Sequence, residues 1–374
     1  MAAFRKRSKS CPFLSQEFLI QNHADIVSCL VVLVLIGLMF ENILGSVCNL
    51  LLCLQSNLSL SVSFADGEVV YYLYGTSDLV TILFYICITI ILHAVVQEYA
   101  LDKLNKRLHL SKIKHSKLNE SGQLIVLHLT SGIWGFYIVV TEGYVTNPSS
   151  LWEKYPHTEL SFQVKFFFLC QLSYWIHSLP ELYFQRVRKE EIPRQLQYIG
   201  LYLLHIAGAY LLNLTRLGVL LLVLQSVAEL VFHTARLFYF IHENNQKFFN
   251  AWAVVFVMTR LMTLTLTVLV VGFGLSRVEH QTFDMDKGIF NSLPIRLCIL
   301  VTVCSTQAWM MWRFINFQLR RWREFQAEQA SRRKIVGAMA MRGRVVRREL
   351  GHHENGLIKS ENGTSPRTRK SKSP

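Results

Sequence analysis

Charged residues are scarce in this chain. Only 17% of its 374 residues are Asp, Glu, Lys or Arg, whereas about a quarter is usual for a soluble domain. The apolar residues form long continuous runs, and these lack the amphipathic spacing that one soluble core would use. The composition therefore excludes one large soluble domain and indicates a chain spent mostly on membrane-spanning helices.

Cysteine pairs with a chemical spacing are also lacking. The chain has eight cysteines, nearly all of them within apolar runs, and no Cys-x-x-Cys pair occurs. Such residues are expected to be small buried hydrophobes, and a disulfide framework or zinc site is not predicted. No other metal site, no cofactor and no catalytic residue is predicted from the sequence.

Eight apolar runs approach the roughly 20 residues that a helix needs to cross a bilayer. They lie near residues 26–54, 79–101, 122–146, 164–184, 197–213, 216–241, 252–276 and 295–319. The sequence therefore predicts an all-α, polytopic membrane helix bundle with about eight transmembrane helices.

The distribution of charge predicts how the spans are oriented. The 55–78 loop has acidic residues and no Lys or Arg, whereas the 102–121 loop is strongly basic. Because cytosolic loops hold an excess of Lys and Arg, both termini are expected in the cytosol.

Asn57 begins a glycosylation sequon in the loop predicted to be luminal, and it is the predicted site of modification. Lys370 and Lys372 match a dilysine retrieval signal, which predicts residence in the endoplasmic reticulum membrane.

Four regions follow from the spans and the charges. We expect a cytosolic N-terminal segment at 1–25, the first two spans with a basic cytosolic loop at 26–116, and a helical bundle at 117–326. The remaining residues, 327–374, are rich in Ser, Thr, Arg and Lys and poor in aromatics, so a basic, disordered cytosolic tail is predicted. No nucleic-acid recognition is predicted, since no recognition helix or aromatic platform accompanies this positive charge.

Ionisable side chains inside the predicted spans need an explanation, because each costs about 2.5–3.5 kcal/mol to insert. Glu229 and His233 are four residues apart and Arg236 is three further on, so all three share one helix face. The candidate site is a polar intramembrane groove lined by His205, Gln225, Glu229, His233, Arg236 and Arg260. Two interpretations stay open: a functional polar cavity, or a hydrogen-bonded network that orients the helices.

Several stretches resemble the translocating chain-associated membrane (TRAM) proteins. They include QNHADI (21–26), GLMFE (37–41), KHSK (114–117), NESG (119–122), PELYFQ (180–185), IPRQ (192–195), HIAGAYLLNL (205–214) and FINFQLR (314–320). The ending ENGTSP (361–366) is most similar to the second paralogue of that family. The resemblance implies a TLC-type helical fold, shared with ceramide synthases, in the endoplasmic reticulum membrane.

The same resemblance implies a role beside the protein-conducting channel, in translocation or membrane insertion of nascent secretory and membrane proteins. The implied partners are the Sec translocon, nascent chains with their signal sequences, membrane lipids and the ribosome. Support of collagen synthesis, coupled to the calcium pump of the endoplasmic reticulum, is implied as well.

An enzyme is not expected, although a lipid acyltransferase and a lipid-binding or transport protein are the alternatives. Ceramide synthases carry a His-His pair in one span and a His-Asp…Asp pattern in the next. Local alignment places the first pair at Leu204-His205 and the second at Gln225-Ser226. One surviving histidine without its basic and acidic partners is a poor acyl-transfer catalyst. Transport is disfavoured because the sequence shows no clear internal repeat.

Overall fold

The computed structural model describes residues 16–39, 60–64, 67–108, 112–184, 187–241 and 246–354, most of them in helices. The first half contains α1 (Gln16–Met39), the strands β1 (Leu60–Phe64) and β2 (Gly67–Tyr71), α2 (Ser77–Val95), a π-helical segment (Val96–Leu101), α3 (Asp102–Leu108) and α4 (Lys112–Thr141). The second half contains α5 (Phe162–Phe184), α6 (Ile192–Leu211), α7 (Thr215–Ile241), α8 (Gln246–Thr267), a π-helical segment (Val268–Gly274), the strands β3 (Phe283–Asp284) and β4 (Ile289–Phe290), and α9 (Leu293–Glu354).

The prediction of an all-α membrane bundle is confirmed. Five helices are long and apolar enough to cross a bilayer: Ser77–Leu108, Lys114–Thr141, Thr215–Tyr239, Phe248–Arg277 and Leu293–Met339. The remaining predicted spans overlap α1, α5 and α6, and the first of them is described only as far as Met39. That these three helices also cross the membrane stays a prediction.

The chain divides into two compact units, one ending at Gln307 and one beginning at Ala308. The second unit differs from the predicted disordered tail, because α9 continues to Glu354 and includes residues 327–354. This stretch has no proline and is rich in Ala and Arg, which favour helix. The predicted domain boundaries themselves stay a prediction.

The core of the first unit lies where α5 is surrounded by its neighbours. Phe167, Phe168 and Trp175 of α5 are fully buried together with Ile206 of α6. Close approach of α6 and α7 depends on Gly218, where an added Cβ would lie only 2.6 Å from the Cβ of Ala209. A small residue at such a contact lets two membrane helices pack tightly.

Loops at one end of the first unit form an end cap, which we define as residues 72–78, 142–161, 212–215 and 283–291. The backbones of Tyr72 and Leu160 pair through two hydrogen bonds of 2.8 and 2.9 Å. The Tyr155 hydroxyl donates to the carbonyl of Leu212 at 2.9 Å and accepts from the amide of Phe290 at 3.1 Å. Helix ends that are far apart in sequence therefore meet at a single face of the bundle.

Asn213 is a central residue of the end cap. It adopts a left-handed backbone with φ of 55°, and its side-chain amide donates to the carbonyl of Gly288 at 2.8 Å. Gly288 itself has φ of 66°, which favours glycine at this turn. Because the Asn213 side chain is buried and bonded, its sequon Asn-Leu-Thr is closed to glycosylation in the folded protein.

Candidate functional site

A central network of polar side chains joins α7, α8 and α9; we define it as Gln225, Glu229, Arg260 and Gln307. The Gln225 amide donates to Glu229 Oε1 at 2.7 Å, one helical turn away on α7. Arg260 of α8 donates to Gln225 Oε1 and, at 3.2 Å, to Gln307 Oε1 of α9. A buried arginine is thereby bound to acceptors from two helices besides its own.

His233 extends this network towards α4 and α6. Its Nε2 lies 3.7 Å from Glu229 Oε2, and its ring stacks on His128 with centroids 6.0 Å apart. His128 Nε2 in turn lies 3.4 Å from the hydroxyl of Tyr198 on α6. The ring of Tyr202 also lies beside His128, with centroids 6.0 Å apart. The polar interior therefore includes three further side chains, His128, Tyr198 and Tyr202.

Part of this interior keeps unused hydrogen-bonding capacity. Among the residues that the structure describes, the hydroxyl of Tyr202, Nε2 of His205 and Nδ1 of His233 are buried without a hydrogen bond. A buried polar group left unsatisfied costs about 1–3 kcal/mol. The interior therefore differs from a fully satisfied helix interface in having buried donors or acceptors without a hydrogen bond.

The structure brings together four of the six residues predicted to line the groove. Gln225, Glu229, His233 and Arg260 are in contact, as described above. Arg236 instead forms an ion pair with Glu120 of α4, with Nη2 and Oε2 3.1 Å apart. His205 is on α6 beside this interior and bonds to none of the others.

The remaining predicted sites lie outside the described residues. They are the glycosylation site Asn57 and the retrieval lysines Lys370 and Lys372. In the described part of the chain, no three His, Cys, Asp or Glu side chains are arranged to hold a metal ion.

An end clamp that the sequence analysis missed lies beside the end cap; we define it as Asp78, Lys165 and Tyr210. Lys165 Nζ lies 2.7 Å from Asp78 Oδ1 and donates to the carbonyl of Leu73 at 2.7 Å. Asp78 Oδ2 accepts from the Tyr210 hydroxyl at 2.8 Å and from the Gly75 amide at 2.9 Å. A lysine within the apolar α5 is a signal in the sequence that could have indicated the end clamp. The partners of this lysine follow from no sequence spacing.

A second missed cluster surrounds Glu181 near the other end of α5. Nε2 of His93 and of His177 lie 3.4 and 3.5 Å from the Glu181 carboxylate. His23 of α1 lies 3.8 Å from the same carboxylate and stacks on Phe184. The spacing of four between His177 and Glu181 was visible in the sequence, whereas the contributions of α1 and α2 were not.

A family model described as the TLC domain matches residues 117–316. The chain is 66% identical over 372 residues to "Translocating chain-associated membrane protein 2" of Homo sapiens, and 64% identical over 372 residues to the protein of that name from Mus musculus. Both alignments cover 100% of each chain.

A more distant relative is named as an enzyme. Ceramide synthase 4 of Bos taurus is 29% identical over 203 residues, which cover 52% of this chain and 49% of that protein. The two relatives that match over the full length are named for translocation and not for an enzymatic activity.

Proposed function

Because this chain belongs to the family of translocating chain-associated membrane proteins, which carry a TLC domain, we propose that it is an accessory of the protein-conducting channel of the endoplasmic reticulum. In this proposal it is a multi-pass protein with both termini in the cytosol. It binds nascent chains beside the Sec translocon and assists their translocation or membrane insertion.

The central network supports the location of this activity. A signal sequence with polar residues is costly to expose to hydrocarbon, since an unpaired polar group there loses its hydrogen bonds to water. Gln225, Glu229 and Arg260 offer donors and acceptors at membrane depth, and these could exchange partners with such a segment. This network within three membrane helices is the observation on which the proposed role depends.

Both acidic and basic groups of the network interior are largely enclosed by the helices. The Glu229 side chain is 13% exposed, and that of His233 is 4% exposed. In this proposal an entering polar segment would bind the Glu229 carboxylate, Nδ1 of His233 and the hydroxyl of Tyr202, the last two of which make no hydrogen bond in the fold.

Photocrosslinking during translocation tests this proposal. A photoreactive residue in place of Gln225 should capture a nascent secretory chain with a weak signal sequence. Val227, which is on the same helix and exposed on its outer surface, gives the matched control and should capture mainly lipid. Lipid as the sole product at both positions, in a system that translocates, would contradict the proposal.

The proposed topology is tested separately. Asn57→Gln should remove the N-linked sugar that the proposal places on the luminal 55–78 loop. Sugar attached at Asn119, within the 102–121 region, would reverse the orientation of the whole chain. Support of collagen synthesis, coupled to the calcium pump of the endoplasmic reticulum, belongs to the proposal through family resemblance alone, and no described residue is assigned to it.

Acyl transfer is the alternative function, and the distant similarity to ceramide synthase is the reason to test it. His205 has Leu204 beside it in place of a second histidine, and no acidic side chain bonds to it among the described residues. We therefore expect purified protein to form no acyl-CoA-dependent lipid product. Such a product, lost in His205→Ala, would replace the proposed function.

A further inference from the structure

The last candidate span is much longer than a bilayer requires. Leu293–Met339 has 47 residues, whereas about 20 residues cross the hydrocarbon. Counted from Leu297, the first residue after the charged Arg296, the hydrocarbon edge falls roughly near residue 317. Residues within about two turns of this edge are therefore near the lipid headgroups, which long arginine side chains reach by extending towards them.

One face of the helix at this level is basic. Arg313, Asn316, Arg320 and Arg323 follow one another at intervals of three, four and three residues, which places them on a single face. At about 1.5 Å per residue this headgroup face extends over roughly 15 Å. The three arginines on it are exposed.

Aromatic side chains lie at the same level of α9 as the headgroup face. The guanidinium of Arg313 lies over the ring of Trp309, 4.8 Å from its centroid. Trp312 and Trp322 are 64% and 60% exposed. Tryptophan and arginine together are typical of the membrane–water interface, where the ring is half in lipid and the cation meets phosphate.

We propose that the headgroup face, formed by Arg313, Asn316, Arg320 and Arg323, binds the phosphates of anionic phospholipids. Guanidinium groups one turn apart suit phosphate oxygens, which accept paired hydrogen bonds from arginine. RNA would offer the same phosphates, but it would leave the exposed Trp312 and Trp322 in water. A lipid surface covers both the charge and the aromatic rings.

This inference rests on the membrane location of α9 and not on a role in translocation. Both proposals can therefore fail independently. A nanodisc presents the same lipids on both faces, so the test below does not depend on the orientation of the protein in the cell.

The test uses the full-length protein in nanodiscs of phosphatidylcholine with or without phosphatidylinositol, and native mass spectrometry of the lipids that stay bound. We expect retention of phosphatidylinositol over phosphatidylcholine, and about a tenfold loss of that preference in Arg320→Gln/Arg323→Gln. The charge-matched control is Arg332→Gln/Arg333→Gln, further along α9, where Arg332 already pairs with Glu328 at 2.8 Å. This control should keep the preference.

Four results would overturn the inference. Equal losses in both double variants would mean that only the total charge matters. Retention of the two lipids in proportion to their abundance would mean that no headgroup is selected. Displacement of phosphatidylinositol by an equal concentration of inorganic phosphate, or co-purification of RNA in place of lipid, would assign the face to another phosphate. Circular dichroism and gel filtration of each variant establish that it is folded.

Discussion

The end clamp and the central network are two ways of holding charge among apolar helices. In the clamp, Asp78 and Lys165 have partners at 2.7–2.9 Å, and these include backbone groups that cannot move independently. In the network, Glu229 has a close bond to Gln225 and a longer approach of 3.7 Å from His233. Neighbouring atoms of the network interior make no hydrogen bond within the described chain.

The difference indicates different roles. A buried ion pair whose oxygens and protons are all satisfied fixes one arrangement of helices, and loss of either partner is costly. Side-chain amides and imidazoles that are partly satisfied can exchange partners at a smaller cost. We therefore interpret the clamp as structural and the network as the region suited to binding.

The largest expected effect is on the clamp. Asp78→Asn keeps the size of the side chain but leaves the Lys165 ammonium, which is 4% exposed, without its counter-charge. Removing one partner of a buried pair costs about 3–5 kcal/mol. We expect a loss of unfolding free energy at the lower end of that range, since Lys165 retains the carbonyl of Leu73. Thermal or denaturant unfolding of the protein in detergent measures it.

The double variant Asp78→Asn/Lys165→Met is the control for this interpretation. It removes the stranded charge, so it should recover much of the stability lost in the single variant. A single variant as stable as the wild type would mean that the pair is solvated, and the clamp would no longer differ from the network.

A smaller effect is expected from His157 in the end cap. Burial, with the nearby positive charge of Arg216 as a second cause, lowers the pKa of this imidazole to about 4. In the unfolded chain the pKa is near the ordinary 6.5. The folded state therefore binds fewer protons, and its stability is complete above pH 6.5 and declines as the pH falls from 6.5 to about 4. The decline reaches at most about 3 kcal/mol.

Unfolding curves between pH 7.5 and 4 measure this decline. His157→Gln is the comparison, because glutamine keeps a donor for the Glu153 carbonyl, which the imidazole contacts at 2.9 Å, but does not titrate. The stability of this variant should depend less on pH than that of the wild type between 6.5 and 4. Identical pH dependence in the two proteins would contradict the assignment.

The sequence predicted helices better than it predicted contacts. The predicted span 216–241 corresponds to Thr215–Ile241, because a long apolar run in a membrane has few alternatives to helix. The spacing of Glu229 and His233 fixed a shared face, but it did not reveal Gln307 as a partner of Arg260. Long-range pairs depend on helix packing, which one sequence does not encode locally.

The pattern of charges along the sequence also failed to reveal which side chains are in contact. Asp78 was grouped with the acidic 55–78 loop because the apolar run begins only at residue 79, whereas the structure places it in the first turn of α2 against Lys165. The predicted tail showed low aromatic content and high charge, and both features are compatible with an exposed helix. Composition distinguishes exposed from buried residues better than it distinguishes helix from disorder.

The smallest effect on stability, and the sharpest test of the comparison, is expected for Glu229→Gln. The carbonyl oxygen of glutamine can still accept from Gln225, and Arg260 keeps Gln225 and Gln307. The buried Arg260 does lose the nearby negative charge, so the free energy of unfolding should fall by about 1–2 kcal/mol, less than in Asp78→Asn. Translocation of a weak signal sequence should nevertheless fall, because the variant loses the carboxylate to which a polar segment is proposed to bind. Reconstituted microsomes carrying either protein, supplied with a weak and a strong signal sequence, measure the difference. A loss of stability as large as that of Asp78→Asn, with the two signal sequences affected equally, would make the network a second clamp, and the proposed binding region would have to lie elsewhere.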